Sequence, residues 1–281
     1  MGFRDGGQVM IGRILDEGDV VPLAEVGAFY ADLPRWSGLA RASGAGSVRR
    51  ADLVEVPAVP AGARVLCAGL NYRAHAAETG AELPDYPNLF ARWTASLVGA
   101  GTPVPVPAGE RGLDWEVELA AVVGRPLADV DAAEALEGVF GYAVFNDLSA
   151  RRHQGRTPQW AVGKNADRSG PISAITTADE VGDPAAGLRL WTRVNGEVMQ
   201  DSTTADMIFS VGELLSYASR VMTLQPGDVL ATGTPPGVGY ARTPPRYLVP
   251  GDTVELQIDR LGTLANPIVG TAARFKPLPG V

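Results

Sequence analysis

Residues 114–123 read DWEVELAAVV. Trp115, Val117, Leu119, Val122 and Val123 are the letters of a buried strand. Glu116 and Glu118 are not. Side chains alternate along a strand, which puts Asp114, Glu116 and Glu118 on one face and Trp115, Val117 and Leu119 on the other. Glu116 and Glu118 then lie about 7 Å apart at Cα, with carboxylates free to converge. Two ionised carboxylates on a half-buried face repel and lose hydration unless something cationic compensates them. Two readings follow from these ten residues: an antiparallel strand with one acidic face in water, or one wall of a cation site.

The next strand-like segment, GYAVFND (141–147), ends its apolar run on Asp147. Glu116, Glu118 and Asp147 would make an oxygen-only site. Mg²⁺, Mn²⁺ or Ca²⁺ suits such a site and Zn²⁺ does not. Three carboxylates also leave positions for water or a bidentate oxygen substrate.

The chain has two histidines, His75 and His153. In NYRAHAAE, Glu78 follows His75 at i+3 and shares its helical face. A carboxylate against an imidazole fixes its tautomer and suits it to act as a base on water; a routine ion pair on an exposed helix has the same spacing. His153, among cations in ARRHQGR, reads as a surface or entrance residue.

Composition narrows the partners. The 281 residues, 46% hydrophobic and 20% charged, describe a globular chain long enough to bury a large core. A net charge of −8 with no basic run argues against nucleic acid and anionic membrane. No apolar run reaches a membrane span. The start, MGFRDGGQVMIGRILDEGDVV, lacks a signal-peptide pattern, and Cys67 has no second cysteine to pair with, so a cytoplasmic location is expected. A small molecule is the partner this composition favours.

VPAVPAGAR (56–64) reads as a boundary. It separates a small N-terminal domain (1–60) from a larger domain (61–281). The first holds strand-like runs at Val9–Leu15 and Val20–Leu23, a turn at DEGD, and a helical patch over Val26–Leu39. In the second, strands are expected at Val65–Gly69, Leu113–Gly124, Gly141–Asp147, Leu188–Val194, Asp228–Thr232 and Thr253–Ile258. Asn195-Gly196 marks a hairpin, and helices are expected over Asp131–Leu136 and Asp206–Ser219. Strands dominate without βαβ alternation, so the fold class is mainly β, of α+β type.

Seven segments in order resemble the fumarylacetoacetate hydrolase superfamily: GLNYRAHAAE (69–78), FARWTASLVGAG (90–101), DWEVELAAVVGR (114–125), GYAVFNDLSARRHQ (141–154), GKNAD (163–167), VNGEVMQDSTTADMIF (194–209) and LQPGDVLATGTPPGVG (224–239). The resemblance implies a catalytic domain of rolled, mixed β-sheets behind a small N-terminal domain, and a homodimer. It implies that Glu116, Glu118 and Asp147 hold Mg²⁺ or Mn²⁺. It also implies that His75 and Glu78 activate water on a short lid helix, and that Lys164 faces a substrate carboxylate or oxyanion. Tyr72, Arg151, Gln154 and Thr234 match positions on the substrate side.

Three departures stand out. Many relatives carry F-x-K-P where this chain has FARW, with Arg92 for the lysine and Trp93 for the proline. NADRSGPIS replaces an aromatic and a double Gly-Pro, and Arg152 stands where an acid is common. Arg152 and Arg168 add positive charge, which suits an anionic substrate or a surface or interface position. Details of W-T and TPPGVG resemble the sugar-acid branch. The expected activity is metal-dependent hydrolysis of a C–C bond in a 2,4-diketo acid of acylpyruvate or diketo-deoxy sugar acid type. Oxaloacetate-type decarboxylation, keto–enol or double-bond isomerisation, and a non-catalytic ligand-binding relative are the alternatives.

Overall fold

The computed structural model describes residues 1–15, 18–42 and 46–271; Asp16 and Glu17 of the expected DEGD turn lie outside them. An antiparallel sheet of five strands takes up the start of the chain, in the order Val48–Arg49, Asp19–Glu25, Gln8–Ile14, Gly2–Asp5, Glu55–Val56. The helical patch expected over Val26–Leu39 is two helices, Val26–Ala31 and Leu33–Ala42. Asp32 breaks them: its backbone leaves the helical region (φ −145°, ψ 59°) and its carboxylate accepts the Arg35 N–H. Pro34 then falls in the first turn of the second helix, where its missing N–H costs nothing.

The centre is a six-stranded sheet in the order Thr176–Thr177, Val139–Asn146, Val117–Val123, Val229–Ala231, Val65–Gly69, Asn88–Arg92. Only Val229–Ala231 and Val65–Gly69 run parallel. A second sheet of five strands packs on it, in the order Glu197–Thr203, Arg189–Val194, Thr253–Ile258, Gly262–Val269, Val104–Pro105. Asn195 and Gly196, both at positive φ (52° and 85°), close the expected hairpin between its first two strands. The result is a mainly β, α+β fold.

The strand Val117–Val123 is buried at every residue, so neither of its faces meets water. Val117, Leu119, Ala121 and Val123 pack toward the second sheet and the helix Val211–Ser219. Ala120 and Val122 pack with Phe29, Tyr30 and Leu33 from the first forty residues. Glu118 shares the face of Ala120 and Val122. The water-facing reading of this strand is therefore replaced: one face is apolar throughout, and the other is apolar at one end and acidic at the other.

Two further boundaries differ from expectation for local reasons. The helix expected over Asp206–Ser219 begins at Val211, because Ser210 and Glu213 form a reciprocal capping box there. The strand expected over Leu113–Gly124 divides into Leu113–Asp114, paired with Ser149–Ala150, and Val117–Val123. At the break, the Asn146 side chain accepts the Glu116 N–H at 3.1 Å and stands in for a ladder carbonyl.

Candidate active site

The break at Trp115–Glu116 brings the acids together. Glu116, Glu118 and Asp147 each offer a carboxylate oxygen, all within 4.8 Å of one another, and all three residues are buried. Asp147 follows the end of Val139–Asn146, and its N–H donates to the Glu116 carbonyl at 3.0 Å. Asp114 does not join them. Its carboxylate accepts the Gly239 and Tyr240 N–H groups and the Arg151 Nε.

Three buried cations surround the cluster. Lys164 Nζ donates to Glu116 Oε2 at 2.7 Å and also to Asp147 Oδ2. Arg151 Nη2 lies 2.6 Å from Glu116 Oε1. Arg92 Nε donates to Asp147 Oδ1. Burial pushes the Glu116 carboxyl up, but Lys164 and Arg151 outweigh it and hold it at about 2. Burial pulls the Lys164 ammonium down, and Asp147 and Glu116 more than offset this. Glu118 fares differently. Among the described residues it accepts only the Gly233 N–H (2.9 Å), and burial, then the neighbouring Asp147 and Glu116 charges, push its carboxyl well above the usual range.

This donor set fits a hard divalent cation. The ligands are all carboxylate oxygens, and Glu118 has no cation in ion-pair contact among the described residues. The buried Tyr72 hydroxyl, Asn146 amide nitrogen and Arg151 Nη2 also lack hydrogen-bond partners among the described residues. An ion at the three carboxylates would supply the positive charge that favours the ionised form of Glu118.

The local folding of each neighbour follows from sequence. The helix Arg73–Thr79 is held at its start by Asp206, which accepts the Ala74 N–H, and ends at Gly80 in the left-handed region (φ 67°). On it, His75 Nδ1 meets Glu78 Oε2 at 2.9 Å, and Glu78 Oε1 accepts the Gly237 N–H at 2.8 Å. Gly237 sits at φ 100°, and a Cβ there would come within 2.2 Å of the Met199 carbonyl, so only glycine fits this loop. Lys164 ends the helix Ala161–Lys164, which lies against Arg151–Gln154 because Gly163 has no side chain. A Cβ at Gly163 would come within 2.6 Å of the Gln154 backbone. Gly237 joins the His75–Glu78 pair to the acidic segment: its N–H goes to Glu78 and its carbonyl accepts the Trp115 indole N–H at 3.2 Å.

The structure thus gathers Glu116, Glu118, Asp147, Lys164, Arg151, His75 and Glu78. Gln154 sits beside them, accepting from Arg151 Nη1 at 2.9 Å. Tyr72 is fully buried in the main core. The Thr234 hydroxyl is engaged inside the protein, donating to the Val117 carbonyl and accepting from Gln200. Arg151 likewise has Nε, Nη1 and Nη2 turned to Asp114, Gln154 and Glu116, with Tyr240 stacked 4.4 Å from its guanidinium carbon. Arg152 is exposed and bonds the Gly109 carbonyl; Arg168 is half-buried with φ 59°. His153, read as a surface residue, is half-buried against the Glu110 carboxylate at 2.8 Å. Sequence reasoning missed Gln200, whose side chain bonds Val117 N, Thr192, Thr234 and the Pro235 carbonyl. It also missed Asn71, which bonds Phe209 and the Thr232 carbonyl. No local pattern marks either residue. A cavity of about 920 Å³ lies elsewhere, beside Phe29, Tyr30, Leu33 and Phe140.

Residues 64–269 match the family model described as the fumarylacetoacetate (FAA) hydrolase C-terminal domain. A Burkholderia multivorans protein named "putative hydrolase" is 49% identical over 197 residues, 69% of this chain and 70% of that one. A mitochondrial oxaloacetate tautomerase of Xenopus laevis is 40% identical over 209 residues, 73% of this chain and 65% of that one. Two solved structures superpose closely. The 5-carboxymethyl-2-hydroxymuconate delta-isomerase from Mycobacterium smegmatis gives a TM-score of 0.78 at 34% identity, covering 96% of this chain and 98% of that chain. Fumarylpyruvate hydrolase from Pseudomonas aeruginosa, in complex with Mn²⁺ and pyruvate, gives 0.68 at 34% identity, covering 77% and 91%. With a matched model spanning most of its length and relatives this similar, the chain belongs to the fumarylacetoacetate hydrolase family.

Proposed function

We propose that this protein is a divalent-metal-dependent hydrolase that cleaves a C–C bond in a small anionic 2,4-diketo acid, of acylpyruvate or diketo-deoxy sugar acid type. The observation that carries this reading is the His75–Glu78 pair, latched to Gly237, whose carbonyl accepts the indole N–H of Trp115 next to Glu116. A decarboxylase has no use for a base aimed at water; a hydrolase depends on one.

Mg²⁺ or Mn²⁺ held by Glu116, Glu118 and Asp147 would supply Lewis-acid charge to the two adjacent oxygens of the 2-oxo acid. Glu78 holds His75 Nδ1–H, which leaves Nε2 to take a proton from water as that water adds to the distal carbonyl. The bond from that carbon to the methylene breaks, and its electron pair passes to the pyruvate enolate. Lys164 donates to the developing oxyanion. The proton on His75 then goes to the enolate carbon, giving a carboxylic acid and pyruvate. Arg151, engaged on Glu116 and Gln154, orients these groups rather than doing chemistry.

The test is a panel of 2,4-diketo acids followed by loss of enol absorbance. Chelation should abolish turnover, Mn²⁺ or Mg²⁺ should restore it, and His75→Ala should abolish it with the metal present. Full activity of the stripped protein would overturn the proposal. The 40% identity to an oxaloacetate tautomerase favours keto–enol conversion of oxaloacetate as a second reading. Enol loss without release of a new carboxylic acid would select it.

A further inference from the structure

Arg92, where the family pattern has lysine, has no exposed side-chain surface. A buried guanidinium requires an anion and several acceptors, since its desolvation is costly. It has both. Nε donates to Asp147 Oδ1, Nη2 to the Leu148 carbonyl at 2.7 Å, and Nη1 to Ser169 Oγ at 3.0 Å, with Ser96 Oγ at 3.4 Å. Ser169 belongs to the second segment that departs from the family pattern, the stretch after GKNAD, and its hydroxyl reaches back to the Lys164 carbonyl. Two departures far apart in sequence therefore meet in one contact.

The oxygens of the cluster divide in a regular way. Each candidate ligand has one oxygen set against a fixed group: Glu116 Oε1 faces Arg151 Nη2 in an ion pair at 2.6 Å, Asp147 Oδ1 accepts from Arg92 Nε, and Glu118 Oε2 accepts the Gly233 N–H. The other oxygens of Glu116 and Asp147 face Lys164. We infer that Arg92 is a positioning residue for the metal site: its fork fixes the Asp147 carboxylate and, through Ser169, ties it to the segment that follows Lys164. A lysine, a single point donor, could hold Asp147 but could not span Leu148 and Ser169 as well. The inference rests on the metal site proposed above, and on no catalytic step.

The test reads metal affinity apart from turnover. The full chain, stripped of metal, is titrated with Mn²⁺, and free Mn²⁺ is followed by electron paramagnetic resonance. Arg92→Met should bind Mn²⁺ about 10–100-fold more weakly than the unaltered protein, as loss of partners behind a ligand typically does. Arg92→Lys should recover part of the loss. Ser169→Ala should weaken binding about three- to tenfold beside Arg92 and have no further effect beside Arg92→Lys. Thermal unfolding of each apo variant separates lost affinity from lost structure. If Arg92→Met does not fold, the Ser169→Ala comparison in the two backgrounds decides. An Arg92→Met protein that unfolds cooperatively and binds Mn²⁺ within threefold of the original, or more tightly, would overturn the inference, as would equal Ser169→Ala effects in both backgrounds. Absence of Mn²⁺ binding by the unaltered protein would overturn the metal site itself.

Discussion

Replacing Glu78 with Gln tests whether the latch on the helix Arg73–Thr79 serves the proposed base. The change keeps shape and preserves an acceptor for the Gly237 N–H, now 2.8 Å from Oε1. It removes the negative charge 2.9 Å from His75 Nδ1, charge that counts only once the imidazole carries a proton in the transition state. Two unit charges about 4 Å apart interact by roughly 4 kcal/mol at an effective dielectric of 20, or about three powers of ten in rate. Glu78 keeps 22% of its side-chain surface exposed, so water screens part of this. The expected fall in kcat is therefore about 10²–10³-fold, with KM within about threefold and Mn²⁺ affinity unchanged, because Glu78 is outside the carboxylate cluster. The assay is loss of acetylpyruvate enol absorbance in saturating Mn²⁺, with a parallel Mn²⁺ titration. A variant that keeps kcat within fivefold, or that loses only substrate affinity, would refute the role of the pair.

Three other perturbations follow from the same structure. Asp147→Asn removes the shared anion of Arg92 and Lys164 in a buried site; it should destabilise the protein by about 3–5 kcal/mol and abolish the Mn²⁺ titration, both measurable on the purified variant. Leu214→Ala empties a fully buried position on the helix Val211–Ser219, facing the main core. It should cost about 2–5 kcal/mol, read as a fall in Tm, with kcat at 25 °C unchanged. For Glu110, burial raises the carboxyl, but the bonds from His153, Gly112 N and Arg111 N outweigh it and leave it below its ordinary value. A carboxyl lowered by folding stabilises above its unfolded value, about 4.3, and that stabilisation is lost as pH falls through the folded value. Glu110→Gln should therefore unfold at lower urea than the original at pH 7, and the gap should close toward pH 3; a gap independent of pH would contradict the assignment.

What could be read from sequence was local. The Asn195-Gly196 hairpin, the apolar strand after Glu116 and the helical run of Met207, Val211, Leu214, Leu215 and Ala218 depend on turn chemistry and side-chain period alone; the structure has the hairpin, the strand and the helix from Val211 on, with Met207 outside it. The three carboxylates were also legible, because two sit at strand spacing and the third ends the next apolar run. Element boundaries were less so. Asp32 and the Ser210 capping box reset two helices through single side-chain bonds, and a periodic pattern does not weigh those.

The sequence by itself determined that strands would dominate, that an oxygen-only acidic cluster was available, and that His75 and Glu78 would share a helical face. Those properties follow from residue type and spacing. Tertiary structure alone decided that the strand bearing Glu118 is covered on both faces, and that Asp114 answers to Arg151 rather than to the cluster. It also decided that Arg92 from one strand holds both Asp147 and Ser169, the latter from a distant loop. Which acid meets which cation depends on contacts across 17 to 55 residues of chain, and in a buried site each such pairing sets how firmly a carboxylate is held.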